Sequence, residues 1–114
     1  MDKIKAELIS KIDLSEMEAQ IFLYLITNGK TTLAKISIAL NFTTEKTADL
    51  LSSLIEKGLL MELSGEYQTF HPKFSIINAY RLQCQRRGIA FKKNVQIDNL
   101  ATSLERLHES ARTK

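Results

Sequence analysis

The stretch "TTLAKISIALNFTTEKTADLLSSLIEKGLL", residues 31–60, decides the fold. Leu33, Ile36 and Leu40 recur at helical spacing, and so do Leu50, Leu51, Leu54 and Ile55. Asn41 and Phe42 make the turn between the two runs. Thr31 or Thr32 is placed to cap the first helix and Thr43 or Thr44 the second, since a threonine oxygen accepts from the free amides of a first helical turn. Lys57 falls in the last turn and Gly58 is the stop.

Two short helices joined by a tight turn make a helix-turn-helix. In that motif the first turn of the second helix reaches base edges. Here that turn reads Thr43, Thr44, Glu45, Lys46 and Thr47, with no arginine.

Upstream, Ile4, Leu8 and Ile12 fall four apart and predict a short amphipathic helix. Asp13 and Leu14 break it. Ser15 and Glu18 form a capping box for the next helix, whose apolar face is Ala19, Phe22, Leu23 and Ile26 and which ends at Asn28-Gly29. Downstream of Gly58 the period changes to two. "LLMEL" and "EYQTFH" flank Ser64-Gly65 and predict a hairpin whose register stays open, and Pro72 ends its second strand.

Ser75 is then placed to cap a long helix running to about Arg112, interrupted only by Gly88, where a kink or break is expected. Ile77, Tyr80, Cys84 and Phe91 form one apolar run, and Ile97, Leu100, Leu104 and Leu107 another. A continuous helix of that length, roughly 55 Å, outruns what a core of about seventy residues covers. The expected partner for its seam is the same helix of a second chain.

The 114 residues are enough for one ordinary domain, and the net charge is +3. Residues 1–70 hold seven basic and ten acidic side chains; residues 71–114 hold nine basic and three acidic. The basic surplus therefore sits in the C-terminal third, above all in "RLQCQRRGIAFKK", residues 81–93. That segment reads either as a DNA-neutralising flank or as the solvated face of a coiled coil.

No apolar run approaches a membrane span, no leader is evident, and a cytoplasmic location is expected. A single cysteine allows no internal disulfide, and His71 and His108 are the only histidines, so no metal-site spacing exists. No phosphate loop or nucleophile elbow is present, so the reading is not an enzyme, with no cofactor and no small-molecule ligand.

Three helices, a glycine and a hairpin follow the order of a winged helix. "LSEMEAQIFLYLITNGKTTLAKISIALNFTTEKTADLLSSLIEKGLL" resembles the winged-helix module of TrmB-like archaeal transcription regulators. Leu14, Ser15, Glu16, Glu18 and Ala19 match that family's "LSEYEA" element, Gly29 its turn, and Leu54, Lys57, Gly58 and Leu59 its "LxxLExKGLV" close. "FHP" at Phe70, His71 and Pro72 resembles the end of the family's wing, where a proline starts the C-terminal helix. The family's "PRSRVY" is replaced here by Thr43 to Ala48. Larger sugar-sensing members carry a ligand domain that this length does not accommodate.

The resemblance implies a mainly α winged helix-turn-helix with a small β-hairpin over residues 1–74. A long C-terminal dimerisation helix over 75–114 is expected to follow. The expected function is a dimeric, sequence-specific transcription regulator of double-stranded DNA. Its candidate contacts are Thr43, Thr44, Lys46 and Thr47 on the recognition helix, Lys30, Thr31, Thr32 and Lys35 at the helix before it, and Tyr67 and Lys73 around the wing. The dimer seam is expected at Ile77, Tyr80, Cys84, Phe91, Ile97, Leu100, Leu104 and Leu107. Two other readings stay open: a protein-interaction module in a transcription or chromatin assembly, and a non-specific DNA-coating protein.

Overall fold

The computed structural model describes residues 2–112. The elements are α1 (Asp2–Ile12), α2 (Glu16–Asn28), β1 (Thr31–Thr32), α3 (Leu33–Leu40), α4 (Thr44–Glu56), β2 (Leu60–Leu63), β3 (Glu66–Thr69), α5 (Pro72–Arg87) and α6 (Val95–Arg112). This is a mainly α winged helix followed by a C-terminal helical pair.

Helix α2 is the centre of the core. Ala19, Ile21, Phe22, Leu23, Leu25 and Ile26 are all buried, so the helix is covered over most of its circumference, with Gln20, Tyr24 and Thr27 on its partly exposed face. Its capping box forms as the sequence dictates: Ser15 Oγ accepts from the Glu18 amide at 3.1 Å, and the Glu18 carboxylate accepts from the Ser15 amide at 2.8 Å. Helix α1 lays Leu8 and Ile12 into the same core. Asp13 turns the chain with a positive φ of 61°. Its carboxylate then accepts from Gln83 Nε2 at 3.0 Å and from the Arg87 guanidinium, tying the α1–α2 corner to α5.

The hairpin closes through Ser64 and Gly65, both at positive φ, as a tight two-residue turn requires. Leu60 pairs with Thr69 and Leu63 with Glu66. A strand that the sequence did not announce, β1, adds Thr31 opposite Tyr67 and Thr32 opposite Glu66, giving the order β1-β3-β2. Two threonines carry no alternation to read.

Helix α5 starts at Pro72, as the family resemblance implied, and not at Ser75. His71, not Ser75, is the N-cap; its Nδ1 accepts from the Lys73 amide, and Pro72 occupies the first turn, where its missing N–H costs nothing. Ser75 is instead buried one turn in, where its hydroxyl donates to the carbonyls of Leu59 and Phe70.

The break expected at Gly88 is complete, and the C-terminal segment is two helices. Gly88 takes the left-handed conformation, φ 68° and ψ 26°, and the Ile89 amide donates back to the Cys84 carbonyl at 3.0 Å, which closes α5. Six residues later Asn94 opens α6, its Oδ1 accepting from the amides of Gln96 and Ile97. Helix α6 folds back against α5, α1 and α2. Ile97, Leu100, Ala101 and Leu104 thereby enter the core that also holds Leu8, Phe22 and Ile76, and one continuous core spans residues 1–74 and the C-terminal pair.

This corrects the expected seam. Ile97, Leu100, Leu104 and Cys84 are buried within the chain's own fold and are not available to a second chain. Ile77, Tyr80 and Leu107 are partly covered, and Phe91 alone of the seam residues is exposed.

Candidate nucleic-acid interface

The first turn of α4 is fastened from two sides. Thr43 has extended backbone, and its Oγ1 accepts from the Lys46 amide at 3.1 Å. One turn on, Thr47 Oγ1 donates to the Thr43 carbonyl at 2.8 Å. Thr47 is completely buried, so its expected role at DNA is corrected: its methyl belongs to the core and its hydroxyl to the backbone. Thr43, Thr44 and Lys46 are exposed.

The turn before α4 is held by a side-chain hydrogen bond. Asn41 adopts the left-handed conformation, φ 59°, and Ser37 Oγ donates to the Phe42 carbonyl at 2.6 Å. The turn sets α4 against α3, and Ser37 is itself buried.

At the start of α3, Thr32 is the cap and its Oγ1 accepts from the Lys35 amide at 3.3 Å. Thr31 and Thr32 are half-buried in the sheet beside β3, whereas Lys30 and Lys35 are exposed. The lysines are the more exposed groups at this end of α3.

The wing is not basic. Its exposed turn is Glu62, Leu63, Ser64 and Gly65, and Leu63 is 64 % exposed. Tyr67 packs against the core rather than standing free. Burial, and then the Glu62 carboxylate across the ladder, push its phenol above the ordinary value, so it stays protonated. Lys73 is exposed in the first turn of α5.

The basic segment 81–93 lies elsewhere. Arg81 is held by Asn78 Oδ1 at 2.7 Å and Arg87 by Asp13. Arg86 lines a small cleft with Ser53, Glu56 and Lys57, at the C-terminal end of α4. A helix of 13 residues is about 20 Å long, so this cluster stands a helix length away from the leading turn of α4.

Beyond Glu45, sequence reasoning missed the outward face of α4. Thr47, Leu50, Leu51 and Leu54 point into the core. The opposite stripe, at steps of four, three and four, is Glu45, Asp49, Ser52 and Glu56, all exposed. Subtracting the buried stripe from a helical wheel would have found it.

A capped helix presented beyond a three-helix core, with a hairpin beside it, defines a winged-helix protein. The chain matches the family model for the sugar-specific transcriptional regulator TrmB over residues 8–74, more than half its length, and belongs to that family. No curated protein and no solved structure gives a significant match. The family's matched motif residues are structural here. Glu18, Gly58 and Leu59 are buried, and Lys57 is the ion-pair partner of Glu18.

Among the described residues no group of His, Cys, Asp or Glu is arranged to hold a metal, and no helix is long and apolar enough to cross a membrane.

Proposed function

We propose that this protein is a cytoplasmic, homodimeric transcription regulator that binds specific duplex sites through the leading turn of α4. Thr43, Thr44 and Lys46 would meet the major groove, while Lys30, Lys35 and Lys73 hold phosphates. The observation that carries the reading is the doubly fastened, solvent-facing first turn of α4 in a chain that belongs to a family of transcriptional regulators. Two such helices about 34 Å apart read successive grooves, and dimerisation makes up for the few cations each subunit brings. The dimer contact we favour uses exposed apolar groups of the C-terminal segment: Phe91, whose ring lies against Tyr80, with Phe74, Ile89 and Val95.

The test is duplex binding by fluorescence anisotropy, with pooled genomic fragments at several salt concentrations and sedimentation equilibrium alongside. Saturable binding that discriminates among fragments and weakens with salt supports the reading. Binding without discrimination points to a coating protein.

A second reading has its own observation. The outward stripe of α4 holds three carboxylates, which suits a basic protein partner. Absence of duplex binding at low salt would favour that protein-interaction module.

A further inference from the structure

We infer that the cleft between α1, α5 and α6 is a binding site for a small hydroxycarboxylate, whose hydroxyl donates to Gln83 and whose carboxylate meets Lys11 and Tyr80.

One buried atom sets the requirement. Gln83 is 6 % exposed, yet its Oε1 has no hydrogen-bond partner among the described residues. Its Nε2 donates to Asp13 Oδ2 at 3.0 Å. A carboxylate only accepts, so the amide cannot be turned over to satisfy the oxygen instead. A buried acceptor left unpaired is costly, and such an atom marks a place where a donor belongs.

Gln83 stands in the wall of a cleft of about 310 Å³, at the lower end of the range for small-molecule sites. Lys11, Tyr80, Arg87, Asn94 and Gln96 share that wall. They come from α1, α5, the turn after it and α6, so no single run of the sequence announces them. The left-handed turn at Gly88 brings them together by folding α6 back.

The groups in the wall are only partly committed. Tyr80 accepts through its hydroxyl from Asn94 Nδ2 at 3.3 Å, while Asn94 Oδ1 caps α6, so the phenol hydrogen remains to donate. Lys11 Nζ donates to the neutral Gln96 Oε1 at 3.0 Å and forms no ion pair among the described residues. Arg87 is already paired with Asp13. The cleft therefore offers one buried acceptor, one phenol donor and one cation without a counter-charge.

These needs select a chemistry. The donor that answers Gln83 Oε1 is a hydroxyl, because an ammonium is repelled by Lys11 and Arg87. The acceptor that answers Lys11 and Tyr80 is an anion, and a single uncommitted cation matches a single negative charge. A carboxylate with a hydroxyl on a neighbouring carbon supplies both. Sulfate brings two charges and no donor.

The experiment is titration of the full chain with glycolate, lactate and glycerate, followed by nitrogen–proton NMR correlation that includes the Gln83 side-chain amide. Propanoate and glycerol are the controls. A hydroxy acid should bind at least tenfold more tightly than propanoate, which leaves Gln83 unanswered, or glycerol, which leaves Lys11 unanswered. Lys11→Gln should weaken lactate by about tenfold and Tyr80→Phe by about fivefold. Both side chains are partly exposed, so both variants are expected to fold, and circular dichroism checks this. Gln83→Met should bring lactate and propanoate to equal affinity. The inference is overturned if none of the three acids binds saturably, if lactate and propanoate bind the wild type equally, or if bound lactate leaves the Gln83 amide unmoved. None of these results bears on the DNA-binding reading, which duplex titrations test on their own.

Discussion

Lys57 Nζ lies 2.8 Å from Glu18 Oε1, joining the last turn of the recognition helix to the first turn of α2. The same Glu18 oxygen closes the capping box with the Ser15 amide, and its other oxygen accepts from Ser53. Lys57 also donates to the Asp13 carbonyl at 3.0 Å. The orientation of α4 is thus set by a polar clamp at its C-terminal end and, at the other, by the turn that Ser37 of α3 holds through the Phe42 carbonyl. A regulator needs that rigidity, because a helix free to swing loses its aim on base edges.

Removing Glu18 leaves the Lys57 ammonium, three-quarters covered, without its carboxylate and opens the capping box at once. Glu18→Ala is expected to cost about 2–4 kcal/mol, and Lys57→Ala less, because that side chain retains some solvent. Urea unfolding with a double-mutant cycle measures both. A coupling near zero between the two sites would contradict the clamp.

The same group sets an acid limit. Burial pushes Glu18 upward, but the hydrogen bonds from Lys57, Ser15 and Ser53 outweigh it and hold the carboxyl below its ordinary value. A depressed folded value means the stabilisation is complete above the unfolded pKa, about 4.3, and is lost as pH falls through the folded one. His108 acts with the same sign in a higher window. Burial, then the charges of Arg112 and His71, lower its pKa, so its contribution is present above about 6.5 and declines below that. Melting temperature followed from pH 8 to pH 3 should fall in two stages. Glu18→Gln should flatten the lower stage and His108→Gln the upper.

Gly58 ends α4 at a φ of 85°, and a Cβ there would lie 2.6 Å from both Asn78 Nδ2 and Leu82 Cδ1. Gly58→Ala therefore meets backbone strain and a clash with α5 together. It is expected to cost roughly 2 kcal/mol, a drop of several degrees in Tm by calorimetry. Gly88→Ala, also at positive φ but in open space, should cost about 1 kcal/mol at most.

The winged helix was legible because each of its signals is local. A threonine cap, an apolar stripe and a stop glycine each act within one turn of the chain, and Thr43, Leu50, Leu54 and Gly58 behave as their spacing says. The C-terminal third was not legible because periodicity reports an apolar face without saying what covers it. Ile97, Leu100 and Leu104 satisfy a dimer seam and an intramolecular core equally well. The left-handed turn at Gly88 decides between them by reversing the chain. Thr47 failed as a site for a related reason: position in the first turn was read without asking which way the side chain faces.

That reversal has a thermodynamic signature. Leu104 is completely buried against the chain's own helices, so Leu104→Ala should cost about 3 kcal/mol. The loss should be the same at every protein concentration, because the contact is intramolecular. A dimer through Phe91 would shift the midpoints of wild type and variant alike as concentration rises, whereas a seam through Leu104 would make the loss itself grow with concentration. Urea titrations of both proteins over a hundredfold range in concentration separate the two, and a loss that grows with concentration would restore the dimer seam to α6.

The cations at the proposed interface are few, and that makes each one visible. Lys46 stands on the leading turn of α4, and Lys30 and Lys35 flank the start of α3; all three are exposed, and no ion pair is formed by any of them among the described residues. A lysine that neutralises one phosphate contributes about 0.9 to the slope of log affinity against log salt. Lys30→Ala and Lys35→Ala should each lower that slope by roughly one while leaving the preferred sequence unchanged, since phosphate contacts carry no sequence information. Lys46→Ala should do something different: weaken the preferred site more than a random duplex, by about 1 kcal/mol or more, because its reach includes base edges. Anisotropy titrations at four salt concentrations on both duplexes distinguish the roles. If Lys46→Ala weakens both duplexes equally, α4 holds the backbone and the reading of sequence lies on other residues.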